Sequence, residues 1–232
     1  MIKLSRFTNV EGSILKNSFE KAAWARSALI CGIDEVGRGC LAGPLVTAAV
    51  ILPQGKAPRI LKDSKVMSLE ERLEANQWIT KNCLYGYGIV NHRVIDTHNI
   101  WHATLIAMKK AVINLLSTAP QLPEAIVVDA MPLNLADTPY ASIPVYYFPF
   151  GESRSSSIAA ASIIAKVKRD ELMGKLDSYF PGYEWKSNKG YRTPVHKKMV
   201  HELSHSIIHR KSYLNNLIDS HLDERDDQQT IF

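Results

Sequence analysis

Short apolar runs alternate along this chain with longer stretches in which apolar residues recur at helical spacing. The short runs predict five strands, at residues 28–33, 45–52, 85–90, 125–129 and 145–148. The helical stretches predict five helices, at residues 18–25, 69–82, 99–116, 157–176 and 194–207. This order predicts an α/β fold in which helices flank a mixed five-stranded sheet.

Two of these helices carry specific local signals. Ser68 precedes its helix as an N-cap, and Glu71 three residues later completes a capping box. In the helix at 99–116 the apolar side chains expected to face the core are Leu105, Met108, Val112 and Leu115.

Composition and charge narrow the class of protein. The chain has 232 residues, of which 46% are hydrophobic and 22% charged, as in a soluble globular protein with one main domain. A net charge of +5 favours an anionic partner such as nucleic acid. The three cysteines form no CxxC pair, which predicts a reducing compartment without disulfides. Without a signal peptide or an apolar stretch of roughly 20 residues, we expect a cytoplasmic protein that does not enter membranes.

Acidic residues follow three of the predicted strands. Asp34 and Glu35 come directly after the first strand, Asp129 ends the fourth, and Glu152 follows the fifth. Carboxylates this close together repel one another unless cations lie between them, and oxygen ligands suit Mg²⁺ or Mn²⁺. The pattern is therefore consistent with a site for two divalent metals that cleaves phosphodiesters. The alternative is that these acids cap loops or pair with lysines.

The residues around these acids carry a resemblance to a known family. The segment 32–44, with the sequence GIDEVGRGCLAGP, closely resembles the signature of ribonuclease HII. Further segments resemble that family in the same order, at residues 63–65, 128–129, 157–166, 169–170, 189–191 and 209–210. The resemblance spans about residues 30–213, and a match of this length is far more specific than any short motif.

The resemblance implies a fold and an activity. The fold is RNase H-like, with an N-terminal extension at 1–27, a catalytic domain with a helical C-terminal part at 28–213, and a terminal helix end with a mobile tail at 214–232. The activity is hydrolysis of the RNA strand of RNA–DNA hybrids and cleavage 5′ of single ribonucleotides in duplex DNA. Two Mg²⁺ or Mn²⁺ ions would assist, leaving 3′-hydroxyl and 5′-phosphate ends. Such an enzyme acts in DNA replication and ribonucleotide excision repair.

The family's acids map onto the acids of this chain. Its Asp-Glu pair maps onto Asp34 and Glu35, and its third acid onto Asp129. The fourth acid is usually an aspartate after glycine, but here the step is Gly151-Glu152. This departure resembles the related type HIII enzymes and bears on metal preference and rate. Asp170 is the other candidate for the fourth acid, although its basic neighbours favour an ion pair.

The resemblance also implies residues that contact the substrate. The turn Gly37-Arg38-Gly39 would approach the ribose 2′-hydroxyl, the group that distinguishes RNA from DNA, and Tyr191 would pack against that sugar. Lys65 and Lys166 would hold phosphates, with Ser64 adding a hydrogen bond. A basic stretch at 183–198, with interleaved Tyr183 and Trp185, suggests a surface that follows the nucleic-acid backbone.

Other interpretations stay open at this point. The segment His201-Glu202-Leu203-Ser204-His205 fits the HExxH pattern of zinc metalloproteases if both histidines share a helix face. A non-catalytic module that grips hybrids and a type HIII-like hybrid nuclease are further alternatives. The C-terminal segment Gln228–Phe232 resembles peptides that bind bacterial sliding clamps. We expect the protein itself to be a monomer.

Overall fold

The computed structural model describes residues 7–9, 12, 14–55 and 57–218. Within these ranges one mixed sheet has the spatial order β1-β6-β5-β2-β3-β4. Its strands are β1 (Phe7–Asn9), β2 (Ile30–Val36), β3 (Leu45–Ile51), β4 (Leu84–Val90), β5 (Ala125–Asp129) and β6 (Val145–Phe148). The strands β2, β3 and β4 run antiparallel, whereas β5 pairs parallel with both β2 and β6.

The mixed sheet is confirmed, with one strand more than the five predicted. The additional strand β1 pairs parallel with β6 at one edge of the sheet. It has only three residues, too few to show an alternating pattern of apolar and polar residues in the sequence.

The described residues form eight helices around this sheet. They are α1 (Ser18–Trp24), α2 (Leu69–Asn82), α3 (His92–Leu116), α4 (Gly151–Arg154), α5 (Ser156–Asp177), α6 (Trp185–Asn188), α7 (Pro194–Leu203) and α8 (Lys211–Ile218). The helices α3 and α5 cover opposite faces of the sheet. Ala49 and Ile51 of β3 pack in the cluster beneath α3, while Val46, Ala48 and Val50 pack beneath α5. Because both faces of β3 are covered in this way, every residue of the strand is buried.

The local signals in two helices are confirmed. The Ser68 hydroxyl accepts the N–H of Glu71 at 3.1 Å, and the Glu71 carboxylate accepts the N–H of Ser68 at 2.9 Å. In α3, the predicted core-facing residues Met108, Val112 and Leu115 are buried, and Leu105 packs against the same cluster half-buried.

The helix boundaries differ from the prediction in two places. The helix α3 begins at His92 and is kinked at Asn99, whose φ of 60° and ψ of 170° are not helical. The Asn99 side chain accepts the N–H of His102, so the sequence signal for a helix start was real but marks the second half of a longer helix. The helix α7 ends at Leu203 rather than at residue 207, because Ser204 adopts a φ of 62°.

The segment before residue 28 is joined to the start of α5. The buried carboxylate of Glu20 accepts the Ser155 hydroxyl at 2.5 Å and the N–H of Ser157 at 3.0 Å. Asn17 accepts the N–H of Ser156 at 2.8 Å. The segment therefore satisfies N–H groups that the first turn of α5 would otherwise leave without partners. The domain boundaries at residues 28 and 213 stay a prediction.

Over the ranges that the structure describes, no helix is both long and apolar enough to cross a membrane.

Candidate active site

The pairing of β2, β5 and β6 brings the predicted acids together. Ile33 lies opposite Val128 in the parallel pair β2 and β5, so Asp34 and Asp129 follow at the same level of adjacent strands. Asp129 in turn lies opposite Phe148 at the end of β6, and the chain then enters α4 with Glu152. The carboxyl ends of three neighbouring parallel strands thus present the acids at one edge of the sheet, where ligand sites of α/β folds lie.

Burial and mutual repulsion make these acids hard to ionise. Asp34 is 4% and Glu152 5% exposed. Burial, followed by the charges of Glu35, Asp129 and Glu152, raises the pKa of Asp34 well above its ordinary value. Burial also raises the pKa of Glu35 to about 7, although nearby Arg38 opposes this. The pKa values of Asp129 and Glu152 are raised as well, chiefly by burial. Perturbed acids of this kind in one place are typical of functional sites.

All four acids accept hydrogen bonds from the protein. Asp34 accepts the N–H of Glu35, and Asp129 accepts the N–H of Gly151, each at 2.7 Å. Glu152 is held most firmly. One of its oxygens accepts the hydroxyls of Ser162 and Ser64, and the other pairs with Lys65 Nζ at 3.2 Å.

Glu35 has one carboxylate oxygen without a hydrogen-bond partner. Glu35 Oε1 accepts Arg38 Nη1 at 3.2 Å, but Glu35 Oε2 is buried and has no hydrogen-bond partner. Within the described residues, no group of three or more His, Cys, Asp or Glu side chains is arranged to hold a metal ion as placed. The donor set nevertheless fits hard divalent cations: it consists of carboxylates, these repel one another, and one buried oxygen lacks a partner.

The turn after β2 leaves room for a ligand. Gly37 has a φ of 95°, in the left-handed region, and a Cβ there would lie 2.2 Å from Arg169 Nε. Gly39 is different, because an added Cβ would meet nothing within 4 Å and the residue is exposed. The carbonyl of Arg38 between them accepts Arg210 Nη1 at 2.8 Å and the Tyr213 hydroxyl at 2.9 Å. The turn is thus fixed by hydrogen bonds to its Arg38 carbonyl and open to solvent at Gly39.

Two buried arginines lie behind this turn, and no functional role was predicted for them from the sequence. Arg169 donates to three main-chain carbonyls, those of Ala42, Pro44 and Lys189. Arg210 donates to the carbonyl of Gly43 and to that of the turn. Both lie in segments that carried the family resemblance, which was the only signal for them in the sequence.

Tyr191 lies beside this turn. It forms an isolated β-bridge with Cys40, and its half-buried ring is faced by Lys166 Nζ at 5.1 Å and by the guanidinium of Arg169 at 5.4 Å. Lys166 also pairs with Asp170 at 2.8 Å. The preference for Glu152 over Asp170 as the fourth acid agrees with this ion pair.

Two interpretations of the C-terminal part were wrong. Tyr183 and Trp185 are buried and stack on each other, so they are core residues and do not line a nucleic-acid surface. His201 lies in the last turn of α7, but His205 follows the end of that helix. The two histidines therefore do not share a helix face, as the zinc-protease pattern requires.

Solved structures of known proteins share this fold. The ribonuclease H2 from Pyrococcus horikoshii superimposes with a TM-score of 0.65 at 22% identity, covering 83% of this chain and 98% of that one. The enzyme in the PCNA:RNase HII complex from Archaeoglobus fulgidus gives 0.65 at 26% identity, covering 80% and 95%. Bst-RNase HIII in complex with Mn²⁺ gives 0.58 at 23% identity, covering 77% and 64%. The expected RNase H-like architecture is thereby confirmed.

Sequence comparison identifies the family. A ribonuclease HII from Enterococcus faecalis is 43% identical over 199 residues, which cover 85% of this chain and 74% of that protein. The ribonuclease HII family model matches residues 31–216, which include all four acids, the glycine turn and Tyr191. The chain is therefore a ribonuclease H of type HII and belongs to the ribonuclease HII family.

Proposed function

We propose that the protein hydrolyses the RNA strand of RNA–DNA hybrids and cuts duplex DNA on the 5′ side of single embedded ribonucleotides, leaving 3′-hydroxyl and 5′-phosphate ends. One observation carries the proposal. Four acids with raised pKa values meet at neighbouring strand ends, beside a glycine turn that is open to a ligand. Such an acid cluster suits phosphodiester hydrolysis with two divalent ions.

Asp34, Glu35, Asp129 and Glu152 would hold the two ions, Mg²⁺ or Mn²⁺. When bound, the ions would neutralise the acids, activate water and stabilise the leaving oxygen. The same fold was solved with Mn²⁺ in Bst-RNase HIII. Glu152 replaces the family's usual aspartate, and its longer side chain is anchored by Ser162 and Lys65. These contacts restrict the additional rotatable bond of a glutamate and support its use as the fourth ligand.

The ribose would be recognised by the main chain of Gly37-Arg38-Gly39 and by Tyr191. The open space at Gly39 lets a sugar approach the backbone closely, and the contacts of Arg210 behind the turn keep its carbonyls in place. The Tyr191 ring, fixed beside Cys40, would pack on the sugar. This geometry supports recognition of the 2′-hydroxyl at a junction between RNA and DNA.

Phosphates would be held by Lys65 and Lys166. The Lys65 side chain is 77% exposed and pairs with Glu152 at its tip, so it can reach both the site and a bound strand. Lys166 lies between Asp170 and Tyr191. Ser64 is 6% exposed and faces Glu152, so a phosphate contact requires its hydroxyl to turn away from that carboxylate.

A sliding clamp is the proposed protein partner. The relative from Archaeoglobus fulgidus was solved in a complex with PCNA. In this chain the candidate contact is Gln228–Phe232, which lies outside the described residues. Removing residues 228–232 should abolish clamp binding and leave cleavage intact. Unchanged affinity for the clamp would refute this part of the proposal.

The test of the activity is cleavage of a labelled DNA duplex that contains one ribonucleotide, with Mg²⁺ or Mn²⁺ and with an EDTA control. We expect a cut on the 5′ side of the ribonucleotide, and none with Asp129→Asn. Asp137→Asn is the matched control, because Asp137 is exposed and pairs with Lys109 away from the acids. Equal loss in both variants would argue against a specific role for Asp129.

The substrate range separates the proposal from its alternatives. Cleavage confined to long hybrids would indicate type HIII-like specificity, and Glu152→Asp would then be the variant to examine. Binding of hybrids without cleavage under either metal would indicate a non-catalytic module.

A further inference from the structure

Two buried histidines lie directly behind Tyr191. His196 and His209 are fully buried with Tyr183 and Trp185, and their Nε2 atoms are 3.1 Å apart. His196 comes from α7, whereas His209 precedes α8. Nothing in the cleavage chemistry proposed above uses them.

The neighbours of His196 determine which of its nitrogens carries the proton. Trp185 Nε1 points at His196 Nε2 from 3.2 Å, and an indole N–H can only donate. The Nε2 atom therefore accepts, and the proton is on Nδ1. That N–H lies 2.9 Å from the carbonyl oxygen of Tyr191, which can only accept. The two contacts independently require the same tautomer.

The neighbours of His209 determine the other tautomer. Its Nδ1 accepts the main-chain N–H of Ser206 at 2.9 Å. Its proton is therefore on Nε2, from which it donates to His196 Nε2. The result is a chain of hydrogen bonds that runs in one direction, from Ser206 through both imidazoles to the carbonyl of Tyr191. His196 Nε2 is the shared acceptor of the Trp185 and His209 donors, and a proton on this atom would face both of them, so the arrangement requires neutral rings.

We propose that His196 and His209 are positioning residues that fix the main chain of Tyr191 for recognition of the ribose, an inference that rests on the proposed function. Because the contact is made at the main chain, it fixes the position of the Tyr191 backbone from which the ring projects, and not only the rotamer of the ring. Within the described part of the chain, the carbonyl of Tyr191 accepts one further hydrogen bond, from the N–H of Thr193 at 2.8 Å.

The surroundings of the pair support this role. Burial, the neighbouring His196 and the neighbouring His205 lower the pKa of His209 to about 3, and burial lowers the pKa of His196. Both rings are thus held in the neutral form that the chain of hydrogen bonds requires. A merely space-filling pair would need no defined tautomers.

The first test is spectroscopic and needs no substrate. Long-range ¹H–¹⁵N correlation spectra of the full chain at neutral pH should show His196 protonated at Nδ1 and His209 at Nε2. Replacement of His209 by phenylalanine should remove the second signal and change the first. The opposite tautomers, or averaging between both forms, would overturn the inference.

The second test measures recognition of the ribose. In the Asp129→Asn background, which is expected not to cleave, we would compare Kd for a duplex with one ribonucleotide and for the same duplex in all-DNA form. His209→Phe should reduce the preference for the ribonucleotide roughly tenfold, the usual scale for losing a structural hydrogen bond. His209→Gln keeps a donor towards His196 and should restore most of it. The exposed His205→Gln is the matched control and should have no effect.

A double-variant cycle separates positioning from general support of the fold. Tyr191→Ala should remove the preference by itself, and adding His209→Phe should reduce it no further, because the two act through one contact. Independent, multiplying effects would overturn the inference while leaving the proposed function intact. If the parent protein shows no preference for the ribonucleotide, the proposed recognition of the ribose fails instead, and the tautomers still report on the hydrogen-bond chain.

Discussion

Replacing Glu35 by glutamine should stabilise the metal-free protein at alkaline pH while abolishing its activity. The carboxylate has an ordinary pKa of 4.5, which burial and then Asp129 raise to about 7 in the fold despite the opposing charge of Arg38. An unfolded chain ionises Glu35 near 4.5, whereas the folded protein resists ionisation until about pH 7. The contribution of Glu35 to the free energy of unfolding is therefore fully present below pH 4.5, falls as the pH rises, and is lost once the pH has passed about 7.

The size of this loss follows from the pKa displacement. It corresponds to about 3 kcal/mol at pH values above 7. Glutamine has the same shape, keeps Oε1 for the Arg38 contact and carries no charge to be buried. Its amide places a buried donor where Glu35 Oε2 has no partner, which costs about 1–3 kcal/mol at every pH. We therefore expect a net gain of roughly 1 kcal/mol at pH 8 and a net loss at pH 4.

The assay is urea denaturation of the full chain between pH 4 and 8, with EDTA present throughout. The decisive quantity is the difference in unfolding free energy between Glu35→Gln and wild type, which should change by about 3 kcal/mol across this range. The exposed Glu74→Gln is the matched control and should show no such trend. A difference that is the same at both ends of the range would refute the reasoning. Added Mg²⁺ should then stabilise wild type and not the variant.

Three further outcomes follow from the structure. Glu20→Ala should lower the unfolding free energy by about 2–4 kcal/mol in urea denaturation, because two hydrogen bonds to a buried carboxylate are lost, whereas Glu124→Ala, at an exposed pair, should cost under about 1 kcal/mol. Gly37→Ala should lower the melting temperature of the protein. Gly39→Ala should keep the melting temperature but lose cleavage at single ribonucleotides, and both properties should be measured on the same two protein samples. His209 should contribute a loss of stability as the pH drops from about 6.5 towards 3, because the unfolded chain protonates this histidine while the folded one excludes the proton until about pH 3. The difference in unfolding free energy between wild type and His209→Phe, followed through acid denaturation, should therefore shrink over this range.

The sequence predicted the site better than it predicted the elements around it. Asp129 ends its apolar strand as predicted, whereas β2 continues past the predicted end at residue 33 to Val36, so Asp34 lies near the end of β2 and not after it. The two acids still come together because Ile33 pairs with Val128 in the parallel pair β2 and β5. The kink at Asn99 and the early end of α7 at Ser204 could not be placed, because both depend on single residues with positive φ. An asparagine that begins a helix and an asparagine that kinks one carry the same local signal.

The aromatic residues of the C-terminal part show a second limit. Tyr183 and Trp185 lie among lysines in the sequence, which suggested an exposed surface. They are buried because His196 and His209 converge on them from two other segments. Burial decided by contacts between distant segments leaves no periodic pattern in the sequence.

Motifs that looked separate in the sequence meet at one carboxylate. Ser64 and Lys65 were interpreted as phosphate ligands, and Ser162 as part of an alanine-rich helix, yet all three contact Glu152. This is the position where the chain departs from its family's usual aspartate. A glutamate has one more rotatable bond to restrain, and three donors contact it at both oxygens. The departure is therefore accommodated by residues that the family resemblance already contained. Replacing Ser162 by alanine should reduce the cleavage rate more when residue 152 is glutamate than in the Glu152→Asp variant.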